Sequence, residues 1–304
     1  MVYLEHQEQT KGVLYTATSF TLWGLFPLYW KLMDHISSGE ILAHRILWSF
    51  VFMCGILLYL KQVRRAIQTM KRLMLDGKAL YSLLLSAILI SINWYVYIWA
   101  VNHHLMLEAS LGYYINPLIS VLLGIIFLKE RLNKIQTIAI FIAAGGVMIS
   151  TVQYGSFPVV AFLLAFSFGF YGLIKKRMAF TSAIGLTIET LLLAPAALVY
   201  LIFFLKEPEV TMQTSSIGSL GLLFFAGVFT AVPLLLFSEG AKRIPLYQVG
   251  ILQYIAPTIT FFLGLFMYHE HLSAGKVLTF LCIWVAILLF TASQLRMKKT
   301  SNAH

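Results

Sequence analysis

In a chain that is 60% hydrophobic and 11% charged, an ionisable side chain inside a long apolar run needs a reason to be there. Such groups face a cavity, a partner or an interface. Arg45 can attract an anionic group. His44, beside it, titrates near neutral pH and can take up and release a proton. Glu40 and His44 are four apart and share one helical face. The structural alternative is an ion pair that holds helix ends together, with Arg45 reaching toward headgroups. Glu108 and Glu189 are single carboxylates about one turn into later runs. Each reads as a proton carrier or as part of a packing contact.

Polar and aromatic residues form a second set. Asn93, Trp94 and Tyr97 lie at i, i+1 and i+4 and make one patch. Tyr113, Tyr114 and Asn116 precede Pro117, Gln253 and Tyr254 precede Pro257, and Trp23 precedes Pro27. Proline removes a backbone donor and frees a carbonyl. Breaks are therefore expected at Pro27, Pro117 and Pro257, and in lipid a break survives only where protein or a wet cavity satisfies it. The chemistry these residues offer is binding, with kinked packing between helices as the alternative. His269-Glu270-His271 reads as a solvated turn and not as a metal site, because loop neighbours at i and i+2 are weak ligand evidence. No phosphate loop, H-E-x-x-H or G-x-S-x-G string occurs, so neither an enzyme nor a cofactor is expected. Cys54 and Cys282 lie in apolar runs and read as packing thiols.

Ten apolar runs must position these residues, near 12–33, 40–60, 79–101, 105–128, 135–152, 157–174, 184–205, 217–238, 246–268 and 275–294. About 20 helical residues span the hydrocarbon core. These runs are too long and too continuous for barrel strands. The first reads as a retained helix, not a cleaved signal. The expected fold is an all-α membrane protein with ten transmembrane helices. With the N-terminus inside, eighteen basic residues fall on inner segments, among them 61–78, 129–134, 175–177 and 296–299. Only Lys31, Lys206 and Lys276 fall outside. That bias places both termini in the cytoplasm and accounts for the net charge of +10 without a nucleic-acid partner. No span-to-span segment could house a catalytic domain.

Residues 114–132 recur 140 positions later. Tyr114, Ile115, Pro117, Ile119, Leu123, Gly124, Glu130 and Leu132 reappear as Tyr254, Ile255, Pro257, Ile259, Leu263, Gly264, Glu270 and Leu272. The halves, 11–152 and 157–295, hold five runs each. Five is odd, so the second half enters the membrane inverted, and an inverted repeat places a binding site near the midplane between halves. Spans one, three, four, six, eight and nine are expected to form it.

The strings Glu40-Ile-Leu-Ala-His44-Arg45-Ile-Leu-Trp48-Ser49, Asn93-Trp94 and Leu107-Glu108-Ala-Ser110-Leu-Gly112-Tyr113-Tyr114-Ile-Asn116-Pro117 resemble RarD-type permeases of the EamA branch of the drug/metabolite transporter superfamily. The likeness runs from about residue 11 to 295. One departure is His269-Glu270-His271, where a shorter Gly-Glu-Lys-like turn is expected. The resemblance implies two inverted five-helix EamA repeats around a central cavity in the inner membrane. It implies secondary transport, with export of a small metabolite or drug-like compound by alternating access. An importer of the same class, or a non-transporting assembly or regulatory protein, is the alternative. The partners expected are a small-molecule substrate, the bilayer and, through His44, Glu108 or Glu189, a proton. The oligomeric state stays open.

Overall fold

A computed structural model describes residues 2–33, 36–103, 105–155, 157–203, 217–267 and 274–301. Lys206, His104 and the His269-Glu270-His271 turn lie outside the described residues. Among those described there are helices and no strand. In chain order they are α1 (Val2–Trp30), α2 (Ser38–Tyr59), α3 (Val63–Leu75), α4 (Gly77–Asn102), α5 (Met106–Leu128) and α6 (Lys134–Tyr154). They continue with α7 (Val159–Arg177), α8 (Ser182–Phe203), α9 (Ile217–Arg243), α10 (Leu246–Gln253), α11 (Ile255–Phe266) and α12 (Ala274–Ser301).

Nine segments of the described residues, from Gly39–Tyr59 to Ala274–Gln294, are long and apolar enough to cross a membrane. α1 is long enough but less apolar, because Thr16, Thr18, Ser19 and Thr21 dilute it. Two of those hydroxyls, Thr16 and Ser19, are buried. Ser19 Oγ donates to the Pro233 carbonyl at 2.8 Å, and Thr16 Oγ1 to the Gly12 carbonyl at 2.9 Å. Outward faces carry bare hydrocarbon, as at Phe141 (73% exposed), which suits a lipid solvent. α3 was not expected. By charge its sequence stands out only as a basic inner segment, yet Val63, Ile67, Met74 and Leu75 form an exposed apolar set beside Arg64, Arg65, Lys71 and Arg72.

Packing between the halves follows a two-fold pattern. α1 lies against α9 as α7 lies against α4, and α1 against α10 and α11 as α7 against α5. α2 meets α9 as α8 meets α4. The pairs α2–α8, α5–α10 and α6–α12 each join an element to its own counterpart. The main core draws on α1, α5, α7 and α9, with Phe20, Ile119, Phe168, Tyr171 and Phe237 among its members.

The expected proline breaks are corrected in part. α1 stays helical through Pro27 and α5 through Pro117; the chain breaks at Tyr254, three residues before Pro257. Hydroxyls from facing helices satisfy the loosened backbone. Tyr254 donates to the Tyr114 carbonyl at 3.3 Å, and Thr260 approaches the Gly24 carbonyl at 3.5 Å. An outside donor near the freed carbonyl lets a helix run on past its proline.

Candidate functional site

Arg45 occupies the second turn of α2, whose N-terminus is capped by the Ser37 hydroxyl accepting from the Glu40 amide at 3.3 Å. Its guanidinium lies over two indoles, 4.8 Å from the ring centre of Trp30 and 5.1 Å from that of Trp94. Arg45 Nε donates to Thr230 Oγ1 at 2.8 Å, and that hydroxyl in turn donates to the Ala226 carbonyl at 2.7 Å. The Thr230 oxygen is thus turned to accept, which fixes the plane of the guanidinium. The phenols of Tyr97 and Tyr113 stand within electrostatic reach of Arg45. Their rings meet edge-on at 5.9 Å.

Five helices therefore converge on one charge: Trp30 ends α1, Arg45 is on α2, Trp94 and Tyr97 on α4, Tyr113 on α5 and Thr230 on α9. α2 and α5 share no extensive packing. Tyr113 is 46% exposed although it faces Arg45 across the bundle. A cation between aromatic faces is stabilised by their quadrupoles, and Arg suits such stacking because its guanidinium is flat and weakly hydrated.

Four of the sequence candidates thus meet: Arg45, Trp94, Tyr97 and Tyr113. Asn116 lies one turn further along α5, and its side-chain oxygen is buried without a hydrogen-bond partner. Asn93 Nδ2 bridges α4 to α7, donating to the Leu164 carbonyl at 2.9 Å and to Ser167 at 3.0 Å. Gln253 is buried; its Oε1 accepts from Ser120 at 3.0 Å and its amide nitrogen has no partner. Tyr114 packs edge-on against Phe280 at 5.3 Å. Trp23 sits in an aromatic cluster, 5.3 Å from Phe20 and 5.6 Å from Phe168.

The carboxylates separate from this centre. Glu108 accepts from Tyr154 OH at 2.8 Å and from the Val160 amide at 2.7 Å, so it caps α7. Glu189 is ion-paired to Lys175 at 2.7 Å and accepts from Ser86, all of them buried. Lys175 therefore does not belong to an aqueous loop, as the charge count had placed it. His44 has no hydrogen-bond or ion-pair partner among the described residues, in contrast to both acids.

Sequence reasoning missed Trp30 and Thr230. A tryptophan at the end of the first run and a lone threonine in the eighth were the available signals. It also missed the work of Glu130, which was seen only as a repeated letter. Its two oxygens accept from the Leu246 amide at 2.7 Å and the Tyr247 amide at 2.9 Å. A carboxylate on the first amides of a helix is a charge-assisted cap. Glu130→Ala is expected to lower stability by about 2 kcal/mol, read by heat denaturation in detergent. An unchanged midpoint would show that water replaces the cap.

The EamA-like transporter family model matches the chain twice, over residues 10–152 and 157–292. The chain belongs to the EamA-like transporter family. Its relatives include an uncharacterized transporter, YojE, of Bacillus subtilis (strain 168), 61% identical over 99% of this chain and 100% of its own. The protein RarD of Salmonella typhimurium (strain LT2) is 42% identical over 94% of this chain and 96% of its own. That similarity places the chain among the RarD-type permeases of the EamA family. A solved structure, described only as a crystal structure of a protein, superposes with a TM-score of 0.73 over 95% of this chain and 99% of its own. At 17% identity this likeness establishes the fold alone. An EamA permease is a multi-pass membrane transporter, and the exposed hydrocarbon of the helices fits that setting.

Proposed function

We propose that this EamA protein is a secondary permease that exports a small metabolite or drug-like compound by alternating access, without acting as an enzyme. The observation that carries the reading is one charged side chain, Arg45, held among aromatic rings where helices of both halves converge. The halves, 11–152 and 157–295, act as oppositely oriented repeats. α1 supplies the tenth span. Both termini lie in the cytoplasm and the bilayer is the inner or plasma membrane. The basic residues of the inner segments support that orientation. The two-fold packing supports two halves that rock about a fixed site.

Metabolite profiling of a deletion strain against an overexpressing strain, in cells and in medium, tests the reading. The substrate should accumulate inside the first and outside the second. In vesicles, flux of the compound so found should fall at least tenfold in Asn93→Ala, Tyr113→Ala and Asn116→Ala while the protein stays folded. Unchanged flux in all three moves the site elsewhere.

His44 is the proton-coupling candidate retained, since Glu108 and Glu189 are occupied by packing contacts. Flux into liposomes is expected to follow an imposed pH gradient and to lose that response in His44→Gln. A flux that ignores the gradient removes proton coupling.

A further inference from the structure

We propose that the space around Arg45 takes a small organic anion, a carboxylate carried on a flat apolar body. The proposal rests on the reading of that space as the transport site. Arg45 has five N–H donors in a rigid fork. Thr230 occupies the Nε donor, and the terminal N–H groups have no acceptor among the described residues. No carboxylate of those residues lies within ion-pair distance of the guanidinium. Glu40, the acid nearest in sequence, is five residues away, about 7.5 Å along the helix axis. Glu108 and Glu189 are committed elsewhere, to the Val160 amide and to Lys175.

A guanidinium in a low-dielectric place with free donors is incomplete without an anion. The indoles of Trp30 and Trp94 lie 4.8 and 5.1 Å from it and offer no acceptor to its terminal N–H groups, which point outward from the edge of the guanidinium. An edge-on approach to a fork of parallel N–H groups matches a carboxylate, which binds such a fork with two hydrogen bonds. Tyr97 and Tyr113 add hydroxyls that can donate to the same oxygens. The rest of the rim is aromatic surface, which favours a planar hydrocarbon body behind the carboxylate. A cation is disfavoured by Arg45 itself, and a neutral amide leaves the charge without its counterpart.

Equilibrium dialysis of the full-length protein in detergent with radiolabelled benzoate tests this. Saturable binding of one benzoate per chain is expected. Cinnamate should compete, whereas benzamide, benzylamine and chloride should not compete at hundredfold excess. Arg45→Gln should weaken benzoate at least tenfold, and Arg45→Lys should recover part of the loss. Should Arg45→Gln fail to fold, the contrast between benzoate and benzamide in the unaltered protein carries the test. The proposal is overturned by absence of saturable benzoate binding, by equal competition from benzamide or benzylamine, by displacement with chloride, or by full affinity in a folded Arg45→Gln. Transport is read separately. Vesicles that exchange a neutral or cationic compound but bind no benzoate sink the anion and leave the permease. Benzoate binding with no exchange of labelled benzoate sinks the permease and leaves the site.

Discussion

Glu189→Gln is expected to lower stability by about 3–5 kcal/mol, because it leaves Lys175 charged, buried and alone. Both partners are almost wholly enclosed, with side chains 1% and 2% exposed, and their bond is 2.7 Å. Ser86 and Tyr171 complete the surroundings. Ser86 also donates to the Leu83 carbonyl at 3.0 Å, and the Tyr171 hydroxyl has no partner at hydrogen-bond distance. Neither can neutralise an ammonium. The same loss is expected from Lys175→Met, which strands the carboxylate. In heat denaturation each single variant should melt roughly 10 °C lower, at a few degrees per kcal/mol. The double variant Lys175→Met/Glu189→Leu should regain most of the loss, since replacing both members of a buried pair with apolar groups is often neutral. Such a cycle separates an ion pair that ties α7 to α8 from a carboxylate kept for proton traffic. If Glu189→Gln melts with the unaltered protein, the lysine is not held as the geometry indicates, and Glu189 returns as a proton carrier.

That pair also marks where sequence reading stops. The spans were legible because hydrophobicity is a local property that adds up over about 20 residues. The run expected at 135–152 is the helix Lys134–Tyr154, and that at 184–205 is Ser182–Phe203. Lys175 was misplaced because charge counting assigns a lysine near a span end to water, and only the partner fourteen residues on shows otherwise. In the sequence Glu130 stands out only as a repeated residue and Glu108 as a proton-site candidate. Their backbone partners are more than 50 residues away, and a cap across that distance leaves no local signal. α3 was hidden by its arginines and lysines. Its apolar residues recur at helical spacing, but within a segment too short to read as a span. At the candidate site, Arg45, Trp94, Tyr97 and Tyr113 were found through their polarity in apolar runs. Trp30 was not, because a tryptophan near a span end is what an interface would also select. Breaks at Pro27 and Pro117 were expected from the lost donor alone, and hydroxyls from other helices can compensate for that loss.

The second large effect concerns the α2–α9 crossing that holds Arg45 in place. Gly227→Ala is expected to lower stability by about 2 kcal/mol and to weaken the site as well. A Cβ added at Gly227 would lie 2.5 Å from the backbone carbon of Trp48 and 2.6 Å from the nitrogen of Ser49. Those are main-chain atoms of α2 and cannot turn aside as a side-chain tip would. The helices must separate, and overpacking of this kind typically costs about 1–3 kcal/mol. Separation also strains the bond from Ser49 Oγ to the Gly227 carbonyl, now 2.9 Å. Thr230 lies one turn beyond Gly227 on α9, and Arg45 lies one turn before Ser49 on α2. Opening the crossing therefore draws the Thr230 hydroxyl away from Arg45 Nε and releases the guanidinium from its plane. Binding and flux should fall together with the melting temperature, and Gly227→Leu should be worse on both counts. Gly221→Ala is the control on the same helix, since no atom lies within 4 Å of a Cβ there. It should be silent or stabilising by up to about 1 kcal/mol. Equal behaviour of Gly227→Ala and Gly221→Ala would show that α2 and α9 are not in close contact at this point, and the placement of Arg45 against Thr230 would fall with that contact.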